Sequence, residues 1–563
     1  MFYRKLFTNI SSATKKQKLL VMSVFILGGV LLTVMSQSIP ERRVFINGKI
    51  YSADKSASWH EAMLIEDGRI TKLGSTSGLK KEVDRNTELI DLNGRMVMPG
   101  LHDAHSHLFL GSVGKWVNCY FANGSDLEQI IDKLKVCNKT DKKTEGWLIG
   151  GNFDQTIFPN SSPENSQLSE AFPDTPVYIT DFSQHKALVN KKGLELLGLN
   201  RESVDPKGGY LGRDPTTGEL NGFLVEEARF AALGQLPLPG LFDLYDGFEK
   251  TIAEYNSYGT TSTQDAASIA PMVRVLQAMD WLGELTVSVD LHWPTHLPDG
   301  FMDDVDPIEE WIDKRSSYAT DNIHVNGVKV LLDGVPLPPK STTAELDLST
   351  GLPIKDNLLL EEKELAELFI MMDKKGLKIK THSVGQGAAR AVMNAADKMR
   401  KANGFSGIYH DLTHGQSVME HDTNRPFANQ SVIEFSPSFW AYGSTSTLNI
   451  LFQFKTALAT NALVTAGTDW PVVDSLNLFP SLAGMLDNGD ESIDLKSAIA
   501  IHTINGAKSI GRSEEEGSIE VGKWATFIIL DRNIFESTVQ EIAETKVQHT
   551  YFKGNSVYSN IKI

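Results

Sequence analysis

Two kinds of hydrophobic patterning divide this chain. Near its N-terminal end the runs VFINGKIYS, EAMLIEDGRITKLG and TELIDLNGRMVMPG alternate polar and apolar positions between Asn-Gly and Asp-Gly turns, a hairpin pattern. GSIEVGKWATFIILD and KVQHTYFKGNSVYS repeat that style near the C-terminus. Residues 41–97 and 515–563 are therefore expected to build one small sheet domain. Between them lie eight short apolar runs, at 96–107, 259–267, 285–293, 326–334, 377–385, 410–416, 432–439 and 462–471. Most are separated by segments with helical spacing, such as LEEKELAELFIMMDKKG. Eight strand–helix units predict an α/β fold, a closed (β/α)8 TIM-type barrel over 98–514. Ile- and Val-rich strands suit burial on both faces. The stretch from about 115 to 232 is too long for one connection and is expected to be a cap-like insertion after strand 1.

One further run stands apart. Leu19–Met35 is uncharged and apolar for 17 residues, and Arg4, Lys5, Lys15, Lys16 and Lys18 precede it. A positive flank before such a run places the following chain outside the cytoplasm, so residues 1–40 are expected to be either a cleaved signal peptide or an uncleaved membrane anchor. Cys119 and Cys137, the two cysteines of the chain, would then sit in an oxidising compartment. SDLEQIIDKLKVC between them has helical spacing, with Ser125 as N-cap and Glu128 three residues on. A helix doubling back could join the two sulfurs in a disulfide; two buried free thiols are the alternative. The formal net charge of −17 repels phosphate backbones and argues against nucleic acid as a partner.

Candidate chemistry gathers at the strand ends, where barrel active sites lie. His105 and His107 are two apart, so on a strand both imidazoles reach one side. His382 ends the fifth strand in THSVG, and His414 ends the sixth in DLTHGQ. Asp469 ends the eighth in AGTDWP, next to the first strand in a closed barrel. Together they point to bound metal, with Asp469 as ligand and proton shuttle. Lys329 stands in the apolar strand VKVLLDG. It is expected either to pair with Asp333 or, as a neutral amine with a lowered pKa, to react with carbon dioxide and become a metal-bridging carbamate. Glu226 in GFLVEEAR competes as a carboxylate and is expected to support the site from behind or to be structural. His185 in DFSQHKALVN either touches substrate or caps a surface turn.

These residues resemble the amidohydrolase superfamily, and most of all its amidohydrolase-3 branch of YtcJ-like and N-substituted formamide deformylase-like proteins. The resemblance rests on MPGLHDAHSH, GWLIGGNFDQ, HKALVNKKGLELLG, GFLVEEA, VKVLLDG, the His382 and His414 strands, GTDWP and GSIEVGKWA, and runs from about Arg43 to the C-terminus. It implies a barrel beside a β-sandwich made from both chain ends. It implies one metal on His105, His107 and Asp469, a second on His382 and His414, and carboxylated Lys329 as the bridge. Trp470, beside Asp469, is taken as a substrate contact. Two departures matter. Gly385-Gln386 stands where relatives often carry Gly-Asp, removing a carboxylate beside His382. Gly385 also occupies the position at which deaminases of the superfamily carry Glu, which counts against deamination.

The expected activity is hydrolysis of a non-peptide C–N bond, of amide, N-acyl or N-formyl type, in a small molecule outside the cytoplasm. One or two divalent ions, zinc first and iron, manganese or cobalt as alternatives, would bring the pKa of a bound water towards ~7. Asp469 would serve as general base and then acid. Ester or phosphoester hydrolysis on the same metals is the second reading, and a non-catalytic barrel that only binds its ligand is the third. The membrane is a partner if the N-terminal segment stays attached, and a homodimer is left open.

Overall fold

A computed structural model of the chain describes residues 42–561, apart from 141, 296–307, 348, 416–417 and 443–451. The expected targeting segment, residues 1–40, lies outside the described residues. No helix among the described residues is long and apolar enough to cross a membrane.

Eight parallel strands form the central sheet: β1 (Leu101–Ser106), β2 (Thr260–Ala266), β3 (Ser288–Pro294), β4 (Ile323–Leu331), β5 (Lys378–His382), β6 (His410–Thr413), β7 (Ser431–Phe435) and β8 (Leu463–Ala466). They neighbour one another in chain order, and every pairing is parallel. Backbone contacts bring the two ends of the sheet together. Asp469 N donates to His105 O at 2.7 Å, and His107 N donates to Trp470 O at 2.7 Å. A Cβ on Gly467 would lie 2.3 Å from the His105 backbone nitrogen, so a residue without a side chain permits this approach. The strands' outward faces pack on amphipathic helices. Glu362–Lys374 buries Leu365, Ala366, Phe369 and Met372 in the same core as Ala388, Val392 and Met399 of Gln386–Asn403.

The first apolar run, expected as one strand over 96–107, is two. Met96–Pro99 belongs to a six-stranded sheet with Asn555–Ser559, Val547–Phe552, Phe527–Leu530, Lys49–Tyr51 and Trp59–His60. Leu101–Ser106 starts the barrel, and His107 lies just past its end, at the start of the helix Leu108–Ser112. A four-stranded sheet of Arg69–Gly74, Ala62–Glu66, Arg42–Ile46 and Thr87–Asp91 covers the other side of the terminal core, where Phe45, Ile65 and Val97 pack with Phe527 and Tyr551.

The segment after β1 folds into its own six-stranded sheet, from Cys119–Tyr120 through Leu148–Phe153, Val177–Asp181, Lys186–Val189 and Leu220–Glu226 to Gly209–Arg213. A helix, Leu127–Lys139, packs on it, and a disulfide joins Cys119 to Cys137 across Cα atoms 6.1 Å apart. The helix cap differs from expectation by one residue. Asp126 accepts from Gln129 N, completing a capping box with the Gln129 side chain, while Ser125 Oγ donates to Ala122 O. Asp126 precedes the first helical residue, so its carboxylate is the group in reach of the free N–H groups.

Candidate metal centre

The chain carries six separated residues to one place at the C-terminal end of the barrel. His105 Nε2 and His107 Nε2 stand 3.5 and 3.3 Å from Asp469 Oδ1. These three residues offer ligand atoms that all lie within 4.8 Å of one another. His414 Nδ1 is 4.0 Å from Asp469 Oδ2, and the His414 ring centre is 5.1 Å from that of His105 and 4.7 Å from that of His382. Lys329 Nζ is 3.4 Å from His105 Nε2. Two members of the cluster, His414 and Asp469, hold φ near +58°. That conformation is costly for residues with a Cβ, and it concentrates where a fold over-determines a site.

The donor set suits a divalent cation. His105 Nδ1 is engaged by Glu434 Oε1 at 2.5 Å, which leaves Nε2 for the cluster. Asp469 Oδ1 is buried and, among the described residues, accepts no aligned hydrogen bond. Imidazole lone pairs and carboxylate oxygens facing one another are what a cation of this class binds. Burial, with the neighbouring Lys329 and Lys380 charges, holds His105 well below its usual pKa; burial and His414 do the same for His382. Burial brings His414 down to about 3. All three are thus neutral, the form that ligates. Burial pushes the Asp469 carboxyl up, but its close contacts with His107, His414 and Lys329 outweigh it and leave it below its ordinary value. Burial, helped by the Lys380 charge, brings the Lys329 amine down to about 8.

The alternative pairing of Lys329 with Asp333 does not form. Asp333 instead accepts from the backbone N–H groups of Ala344, Val384 and Gly385 at 2.8 to 3.0 Å. Lys380, one strand away, differs from Lys329 in its saturation: its ammonium meets Asp411, Glu434 and the Ala104 carbonyl.

A cavity of about 140 Å³ opens over the cluster, with His107, Lys329, His382, His414 and Asp469 on its polar side. The insertion contributes Phe182, Ser183, Gln184, His185 and Phe230 to its wall; Leu331, Val335, Pro336 and Leu337 come from β4 and the chain beyond it. His185 therefore sits at the cavity and not on the surface. Its Nδ1 meets Glu226 Oε2 at 2.6 Å, and its ring lies 5.1 Å from that of His382. Thr342 Oγ1 donates to the other Glu226 oxygen. Burial opposes charge on both partners, yet each favours the other's charged form: His185 is raised and Glu226 lowered. Trp470 is corrected. Its indole is 1% exposed, lies so close to Gly111 that a Cβ there would be 2.1 Å from it, and does not line the cavity.

The sequence profile of the amidohydrolase family matches residues 88–558. The chain is a hydrolase of the amidohydrolase family. It is 24% identical over 554 residues to Protein LONG AFTER FAR-RED 3 of Arabidopsis thaliana, covering 91% of each chain. It is 24% identical to the N-substituted formamide deformylase of Arthrobacter pascens, covering 91% of this chain and 97% of that one. Among solved structures, an uncharacterized metal-dependent hydrolase from Pyrococcus horikoshii superposes with a TM-score of 0.68 at 20% identity, over 89% of this chain and 99% of the other.

Two residues that organise this amidohydrolase's centre escaped the sequence reading. Asp103 accepts from Thr468 N, Thr468 Oγ1 and His105 N, tying the Asp469 loop to β1. Glu434 holds His105. Burial pushes the Glu434 carboxyl up to about 7 against the pull of Lys380. The available signal for Glu434 was the one that singled out Lys329: an ionisable residue inside an apolar strand, here SVIEF.

Proposed function

We propose that this amidohydrolase cleaves a non-peptide C–N bond of amide, N-acyl or N-formyl type in a small molecule, using one or two divalent ions, zinc first. The observation that carries the reading is the cluster of buried His105 and Asp469 with half-buried His107, and Lys329, His382 and His414 around it. When bound, a divalent ion supplies Lewis acidity, polarising a carbonyl oxygen and acidifying water. Asp469, kept ionised, takes the proton from the attacking water and returns it to the leaving nitrogen. His185, braced by Glu226, contacts the substrate from the insertion. The apolar walls exclude bulk water and seat the rest of the molecule.

Lys329 belongs to the proposal as a carbamate, which would supply an oxygen ligand to the bound metal. Its neutral amine adds to the carbon of CO2, forming an N–C bond and releasing one proton to solvent. The lowered amine pKa and the lack of a carboxylate pair to Asp333 support that reading. Export, with residues 1–40 as signal or anchor, is supported by the Cys119–Cys137 disulfide.

The test is metal analysis of purified protein together with a panel of N-formyl compounds, N-acyl amines, cyclic amides and esters. Asp469→Asn is expected to lose ~10²–10⁴-fold in turnover. Lys329→Ala is expected to lose metal and the added mass of the carboxyl group. Activity surviving the Asp469 change, or two metals and full turnover in Lys329→Ala, refutes the corresponding role.

A further inference from the structure

Four charged side chains lie inside the barrel beneath the candidate metal centre, and proton transfer to and from substrate needs none of them. Lys378 and Lys380 are on β5, Asp411 on β6 and Glu434 on β7, and all four are at most 4% exposed. They form one chain of contacts. Lys378 Nζ donates to Ser509 O at 2.9 Å and to Asp411 Oδ1 at 2.6 Å. Asp411 Oδ2 meets Lys380 Nζ at 2.8 Å, and Lys380 meets Glu434 Oε2. Glu434 Oε1 ends the chain on His105 Nδ1.

Apolar side chains would fill such a space at lower desolvation cost. This chain, moreover, terminates on a ring whose other nitrogen faces Asp469 and Lys329. Lys380 also donates to the carbonyl of Ala104, the residue before His105, so the same network grips the backbone and the ring of one ligand. We infer that Glu434, anchored by Lys380, Asp411 and Lys378, is a positioning residue for the metal centre that fixes His105 with Nδ1 engaged and Nε2 presented to the metal. A histidine that gives its second nitrogen to a carboxylate is held in one tautomer and is a more basic ligand. In the opposite tautomer Nε2 would carry hydrogen and offer the metal no lone pair.

The inference rests on the metal-site reading, and the experiment separates the two. Wild type, Glu434→Gln, Glu434→Ala and a Lys380→Met/Glu434→Gln double variant are titrated with zinc against a chromophoric chelator, and with cobalt(II) to record the visible spectrum. Thermal midpoints of the metal-free proteins are measured in parallel. The expected result is ~10–100-fold weaker metal binding in the variants and a changed cobalt spectrum, with the metal-free fold retained. The double variant removes acid and base together, so no unpaired buried charge is left to unfold it. Wild-type protein that takes up neither metal overturns the site reading and this inference with it. Wild-type metal affinity and spectrum in the folded variants overturn the inference alone. So does a lowered metal-free midpoint with unchanged affinity, which marks a purely structural network.

Discussion

Replacing Gly467 by Ala puts the barrel's closure and its chemistry under one perturbation. The added Cβ would lie 2.3 Å from His105 N, 2.7 Å from His105 Cβ and 2.8 Å from His105 Cα. Unstrained carbon contacts sit at ~3.5–4.0 Å, so the two segments must part by roughly 1 Å. No rotamer relieves the clash, because the opposing atoms are backbone and Cβ. Overpacking of this kind costs about 1–3 kcal/mol. The displaced segments carry His105 and Asp469, and a misplacement of ~1 Å at reacting groups can cost ~10²-fold in rate. The assay is a denaturation midpoint, a zinc titration and turnover on the best substrate of the panel. Gly74→Ala is the control, since a Cβ there meets nothing within 4 Å. A Gly467→Ala protein with unchanged midpoint and metal affinity would show that the close approach does not set the geometry of the site.

Two further predictions concern stability. Cys119 and Cys137 are 18 residues apart, and a loop of that size is worth about 3 kcal/mol to the folded state; the double Ser variant should expose residues 115–232 to protease sooner, and equal protection in both proteins refutes this. Asp290 is buried with neither oxygen hydrogen-bonded among the described residues, and burial raises its carboxyl from 3.8 to about 7. The native state then keeps a proton that the unfolded chain releases, so this group lowers stability as pH rises from ~4 through ~7, by ~4 kcal/mol at full ionisation. Asp290→Asn should flatten that slope in pH-dependent melts, and an unchanged slope removes the assignment.

The barrel was legible because its strands are short apolar runs in regular alternation with helical ones. The metal candidates were legible because histidines and an aspartate interrupt those runs at their C-terminal ends. The network behind them was not, and the reason is physical. LKIK, leading into β5, alternates apolar and polar residues just as a half-exposed strand does. A period of two tells that the strand has two faces but not that the polar one points into a barrel. Lys378 and Lys380 thus carry a surface pattern in an interior place. Trp470 failed for a related reason: adjacency in sequence to Asp469 says nothing about side, and its indole packs beneath Gly111. The break at Gly100, where one sheet hands over to another, leaves no mark in hydrophobicity, because both sides of it are buried.

That handover also sets an order of assembly. Met96–Pro99 pairs with Phe527–Leu530 on one side and Lys49–Tyr51 on the other, and one residue later the chain becomes β1 with His105. The strand that leads into the catalytic end of the barrel therefore gains a neighbour made more than 400 residues later. Contacts of such separation form slowly, and a growing chain exposes the unpaired edge of Met96–Pro99 until they do. A chain exported before folding, as proposed above, would meet this requirement only once residues 527–559 had crossed, and closure of the barrel's first strand would then follow export.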